Sequence, residues 1–123
     1  MIDKRKFYIG GLWADPIIKN DFEVINPSNE NSYAVISLGS KKDVNLAVNA
    51  AKEAFISWSH FDKKEKIYLL EKLLKIYKSR WNDITHTMSE EMGAPLDWSS
   101  SAQTSSGADH INDFILRLKD FEF

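Results

Sequence analysis

The segment EEMGAPLDW, Glu90 to Trp98, sets two carboxylates where backbone chemistry disfavours them. Met92 ends an apolar helical stripe, Gly93 suits the left-handed position that closes a helix, and Pro95 prevents continuation. A helix C-terminus carries about half a negative charge, so lysine or arginine is its usual neighbour. One reading needs no ligand: Glu90 pairs with His86 one turn earlier and Glu91 points to water, where the cost is roughly a few tenths of a kcal/mol.

Other residues of chemical interest carry less. Ser106, His110 and Asp113 fall at i, i+4 and i+7 and are the residue types of a hydrolase triad. Such neighbours arise readily on a helix surface, and no oxyanion hole accompanies them. His60, His86 and His110 lie 26 and 24 residues apart, which matches no metal-ligand spacing. Gly10-Gly11 in FYIGGLW lacks the G-x-x-G spacing, following helix and lysine of a phosphate loop, so the pair reads as a two-residue hairpin turn. The 123 residues contain no cysteine, which excludes disulfides, zinc-thiolate sites and a cysteine nucleophile within them.

The elements that position these residues follow from composition and period. With 43% hydrophobic residues, seven Phe, four Tyr and four Trp, the chain is globular and long enough for one domain. A net charge of −2, from 16 basic and 18 acidic residues spread along the chain, gives no basic face for nucleic acid and no polybasic patch for anionic lipid. No apolar run approaches the roughly 20 residues of a membrane span. The N-terminus MIDKRKFYIGG lacks a signal peptide's apolar core, so a cytoplasmic protein is expected.

From Phe7 to Leu38 the pattern is strand-like, and from Ser40 onward helical. FEVINPSNE is an extended run ended by Asn26-Pro27, and SYAVISLGS a third or fourth strand. Ser40 with Asp43 three residues on reads as a capping box. Val44, Ala47, Val48, Ala51, Phe55 and Trp58 then keep one face, expected to be buried. Asp62 with Glu65 starts a second helix whose stripe runs Leu70, Leu73, Leu74, Tyr77, Trp81, Ile84 and Met88, with a solvated lysine face opposite. Asp62 to Met92 is long for one helix, so a bend or break is expected near Ser79 to Asn82. The serine-rich run from Ser99 to Gly107 has a linker's composition. Yet Leu96, Ala102, Ile111, Ile115 and Leu118 keep roughly helical spacing, which favours a helix whose small residues admit a close neighbour.

In order and spacing, FYIGGLWAD, FEVINPSNE, LGSKKDVNLAVNAAKEAFISWS and KIYLLEKLLKIYKSRWNDITHTMSEEMGAPL resemble the N-terminal portion of the NAD(P)-dependent aldehyde dehydrogenase superfamily. The resemblance runs from about Phe7 to Phe123, and its specificity lies in the ordered set of segments ending in EMGAPL, single pieces such as YIGG or INP being weak. It implies an α/β fold in which residues 1–39 form a β-hairpin and short strands. Residues 40–123 would form three to four helices that pack on a cofactor-binding domain, with the catalytic domain absent.

The family oxidises an aldehyde through a cysteine thiolate, hydride transfer to NAD or NADP and glutamate-assisted hydrolysis. None of those motif positions falls in this chain, so no catalytic or cofactor-binding residue is carried over and no cofactor is expected for the chain alone. The resemblance also implies a monovalent cation site, with the carbonyls of Val24 and Ile25 and the carboxylate of Glu91 as ligands. The expected partners are the remainder of a dehydrogenase, or a second copy through exposed apolar helix faces, with neither nucleic acid nor membrane. The alternative is a stand-alone, non-catalytic interaction or oligomerisation module.

Overall fold

The computed structural model describes residues 1–122; Phe123, the last residue of the expected helical stretch, lies outside them. The chain divides into two compact units, Met1–His60 and Phe61–Phe123. The change from strand to helix falls at Ser40, so the first helix belongs to the strand-bearing unit.

In the first unit, β1 (Ile2–Lys4), β5 (Ser32–Ser37) and β4 (Asp21–Ile25) form a sheet in the order β1-β5-β4. β1 runs parallel to β5 and β4 antiparallel to it. Strand β1 is an addition to the sequence reading, because the three residues IDK carry too little alternation to announce a strand. β2 (Phe7–Ile9) and β3 (Leu12–Ala14) make the expected hairpin. Its turn needs positive φ at both central residues, and Gly10 and Gly11 supply 60° and 84°.

Helix α1 (Lys41–Trp58) starts at Ser40, whose hydroxyl accepts from the Asp43 N–H while the Asp43 carboxylate accepts from the Ser40 N–H. That carboxylate also accepts from Ile17 N–H at 2.9 Å, tying the segment after the hairpin to the helix start. The expectation of a buried α1 face is corrected: Val44, Val48 and Phe55 are 55, 45 and 62% exposed. The stripe has helical period, but the described residues lay no cover over it.

In the second unit, α2 (Lys63–Ser79) begins with the expected Asp62–Glu65 capping box, and α3 (Trp81–Met92) follows. The break falls at Arg80, whose φ of −104° and ψ of 19° leave the helical region. Gly93 closes α3 in the left-handed conformation with φ 69°. One lysine of the face expected to be solvated ties α2 to the chain's end instead, as the Lys63 ammonium donates to the carbonyls of Lys119 and Phe121 at 2.9 and 3.1 Å.

The serine-rich run is helical but not one α-helix. A short α4 (Leu96–Trp98) passes into a π-helical segment, Ser99–Thr104, and then into α5 (Ser105–Asp120). Hydroxyls complete carbonyls along it: Ser105 Oγ donates to Ser101 O at 2.6 Å and Ser106 Oγ to Ala102 O at 2.7 Å. The wider π turn meets a polar core. Ser99 and Thr104 are fully buried, Thr104 Oγ1 hydrogen-bonds Thr85 Oγ1 at 2.9 Å, and Tyr77 Oη donates to Thr104 O at 2.9 Å. Trp81 stands edge-on to Tyr77 and donates from Nε1 to Ser100 Oγ at 2.9 Å. Among the described residues the buried apolar side chains are Ala34, Ala108 and Ile115, so much of the apolar surface faces outward.

Candidate functional site

Val24 and Ile25 end β4, an edge strand, and an edge strand turns about half of its backbone groups away from the ladder. Register shifts between these two residues: Val24 lies opposite Ala34 and Ile25 opposite Ser32, passing over Tyr33. The turn beyond them is held firmly. Asn26 is buried, its Oδ1 accepts from Ser28 N–H at 2.8 Å, and its carbonyl accepts from Glu30 N–H at 2.8 Å. Asn26 N–H donates to Asn31 O at 2.9 Å, and Glu30 takes φ 59° to close the loop. Beside the strand end, Ser32 Oγ is buried without a hydrogen-bond partner among the described residues. Carbonyl and hydroxyl oxygens are the donors a hard cation uses, so this end of the first unit has suitable chemistry.

Glu91 lies in the second unit, exposed on the last turn of α3, and that turn has no basic residue. It lines a groove of about 440 Å³ with Leu73, Ile76, Ile84 and Met88. The exit of α3 is secured by Gly93 N–H donating to Ser89 O and Ser89 Oγ donating to Ala94 O, both at 2.8 Å. Of the three expected ligands, then, Val24 and Ile25 are neighbours in one unit and Glu91 belongs to the other. Among the described residues, no group of three or more His, Asp or Glu side chains is arranged to hold a metal ion.

The residues resembling a triad do not form one. Ser106 Oγ donates to a helix carbonyl, and Asp113 pairs with Arg117 at 3.4 Å. No helix of the described residues is long and apolar enough to cross a membrane.

What the unit surfaces offer is apolar area. On α1, Val44, Leu46, Val48, Phe55 and Ile56 are exposed; on α5, Phe114 and Leu116 are exposed. Sequence period identified the α1 stripe, whereas Phe114 lies off the α5 stripe and gave no such signal.

The family model described as "Aldehyde dehydrogenase family" matches residues 13–122. A 3-succinoylsemialdehyde-pyridine dehydrogenase of a Pseudomonas species is 39% identical over 124 residues, covering 100% of this chain and 26% of the relative. A putative aldehyde dehydrogenase of Staphylococcus aureus is 36% identical over 123 residues, again 26% of the relative. The chain thus spans about a quarter of the length of the curated relatives it matches. Among solved structures, an aldehyde dehydrogenase from Bartonella henselae superposes with a TM-score of 0.97 at 50% identity, over 100% of this chain and 26% of that one. Aldehyde dehydrogenase C of Pseudomonas syringae, solved as a C291A mutant complexed with NAD+ and octanal, superposes with a TM-score of 0.94 at 29% identity, over 97% and 24% of the two chains.

Proposed function

The chain belongs to the aldehyde dehydrogenase family as an N-terminal portion, and on that premise we propose that it serves an intact enzyme that oxidises an aldehyde to a carboxylic acid with NAD or NADP. The observation that carries this reading is the match of 100% of this chain to 26% of an aldehyde dehydrogenase, at 50% identity and a TM-score of 0.97. The NAD+ and octanal in the Pseudomonas syringae structure support the cofactor and substrate class. The nucleophilic thiolate must come from sequence outside these 123 residues, since they contain no cysteine. When bound in the intact enzyme, NAD(P) would supply the hydride acceptor, and the residues of this chain would contribute scaffold rather than chemistry.

The 123-residue chain alone is therefore expected to give no aldehyde-dependent NAD(P)H above buffer, while the polypeptide completed by the remaining family sequence does. Turnover by the isolated chain would overturn the division of labour, and an inactive completed enzyme would overturn the reaction class. The partner of the exposed α1 face is the remainder of the dehydrogenase, because exposed apolar patches beyond a few hundred Å² generally mark an interface. Self-association of the isolated chain is the second reading, favoured by the same face, and sedimentation of the chain with and without the remainder separates the two. The same reading has the intact enzyme cytoplasmic and oligomeric, which cell fractionation and its molar mass in solution would test.

The family reading also assigns Val24, Ile25 and Glu91 to a monovalent cation. In the completed enzyme, sodium or potassium is expected to raise the thermal midpoint relative to a bulky organic cation at equal ionic strength, and Glu91→Gln to abolish that difference. An equal response in both proteins would remove the assignment.

A further inference from the structure

We infer that the groove between the N-terminal strand and the segment after the hairpin binds a small aromatic anion, a planar ring carrying a carboxylate or phosphate. The groove is open to solvent, has a volume of about 760 Å³, within the span typical of small-molecule sites, and lies wholly in the first unit. It does not depend on the dehydrogenase reading.

Its charge is asymmetric by position. Lys4, Arg5, Lys6 and Lys19 line it against the carboxylates of Asp3 and Asp15. Arg5 is already committed: its guanidinium donates to Asp3 at 2.6 and 3.0 Å and to Asp21 at 3.1 Å. Those hydrogen bonds hold the Asp3 carboxyl down to about 2, so the knot stays fully charged and fixed at neutral pH. Lys6 approaches Asp15 at 3.7 Å. Lys4 and Lys19 form no salt bridge among the described residues; the Lys19 charge acts on the Asp3 carboxylate, and Lys4 is the ammonium group of this lining with no such engagement. Ammonium is a point charge and binds carboxylate or phosphate alike, and the planar fork of Arg5, which would bind either anion bidentately, is occupied.

The aromatic part follows from Trp13. Its indole lines the groove yet is 69% exposed, and it is braced by Tyr8 with ring centroids 5.2 Å apart and planes tilted by 59°. A braced, open indole is a stacking surface presented at low entropic cost. Pro16 adds a rigid apolar side to the same groove. Ring and anion are thus recognised together, by the Trp13 indole and by the Lys4 and Lys19 ammonium groups that line the groove.

The test is a fluorescence titration of the 123-residue chain with benzoate and with phenyl phosphate. Trp58, Trp81 and Trp98 also emit, so each titration is read against Trp13→Phe. A saturable change is expected in the wild type, absent in Trp13→Phe, with the midpoint raised roughly fivefold by Lys4→Gln/Lys19→Gln and raised further by added salt. Acetate and inorganic phosphate should give no saturable change at the same concentrations. The proposal is overturned by a change linear in ligand, by an undiminished response in the lysine double variant, or by acetate acting as well as benzoate. If Trp13→Phe does not fold, the lysine double variant carries the same decision on the wild-type indole.

Discussion

Replacing Asp43 with alanine lowers the thermal midpoint of the first unit by about 10 °C, a loss readable by circular dichroism and large for one substitution in a unit of this size. The side chain accepts three hydrogen bonds: Ile17 N–H at 2.9 Å, Ser40 N–H at 2.8 Å and Ser40 Oγ at 2.6 Å. Alanine removes the acceptor at a position that is 4% exposed and leaves the N–H groups of Ile17 and Ser40 without it. It also dismantles the capping box and releases the tie between the segment at Ile17 and α1. Asp43→Asn retains one carbonyl acceptor without the charge, and its midpoint should fall between the two. An unchanged midpoint in Asp43→Ala would mean that water satisfies Ile17 and Ser40 without cost.

The same carboxylate sets a pH dependence. The hydrogen bond from Ile17 N–H, followed by those from Ser40, holds its pKa below the ordinary aspartate value, against an opposing effect of burial. Above the unfolded-state value, near 3.9, the group is ionised in both states and its stabilisation is complete. As pH falls through that value towards the lower folded one, the unfolded chain takes up the proton first and the stabilisation is lost. Asp3 titrates in the same direction, so the informative quantity is the difference between wild type and Asp43→Asn, which should narrow in acid.

The elements that could be read from sequence are those whose information is local. Ser40–Asp43 and Asp62–Glu65 each place acceptor and donor within one helical turn, and both boxes form as read. Gly10-Gly11 and Gly93 occupy positions that only positive φ explains, and all three have it. Strand β1 was hidden because its order comes from pairing with Ala34 to Ile36, more than thirty positions away in the chain. The stripe of α1 shows the limit differently: period states that Val44, Val48 and Phe55 share a face, but not which residues cover it. The π turn at Ser99–Thr104 was out of reach, since an inserted residue among small polar ones leaves no mark on an apolar period. For the candidate cation ligands, backbone carbonyls of Val24 and Ile25 have no side-chain signature at all. Only Glu91, an acid at a helix C-terminus, stood out by its own chemistry.

Gly107→Ala is expected to destabilise the second unit by about 2 kcal/mol, although the same change in an open helix interior stabilises by about 0.5–1 kcal/mol. The reversal comes from Tyr77. A Cβ built on Gly107 would overlap the Tyr77 hydroxyl and stand 2.7 Å from Cζ, closer than carbon atoms approach. The ring cannot simply swing aside, because its hydroxyl donates to Thr104 O and Trp81 packs edge-on at 6.4 Å. Moving it forfeits a hydrogen bond of about 0.5–1.5 kcal/mol and incurs an overpacking cost of about 1–3 kcal/mol, which together exceed the propensity gain. Urea denaturation of the single and double variants decides the cause. In a Tyr77→Ala background the clash is gone, and Gly107→Ala should become neutral or stabilising. In a Tyr77→Phe background the hydroxyl overlap is relieved but the ring remains, so the penalty should shrink without changing sign. An equal penalty in all three backgrounds would show that α5 needs glycine at position 107 for a backbone reason instead. A stabilising Gly107→Ala in the wild type would show that the Tyr77 ring yields freely, and the close packing of α5 on α2 would then contribute little to the unit.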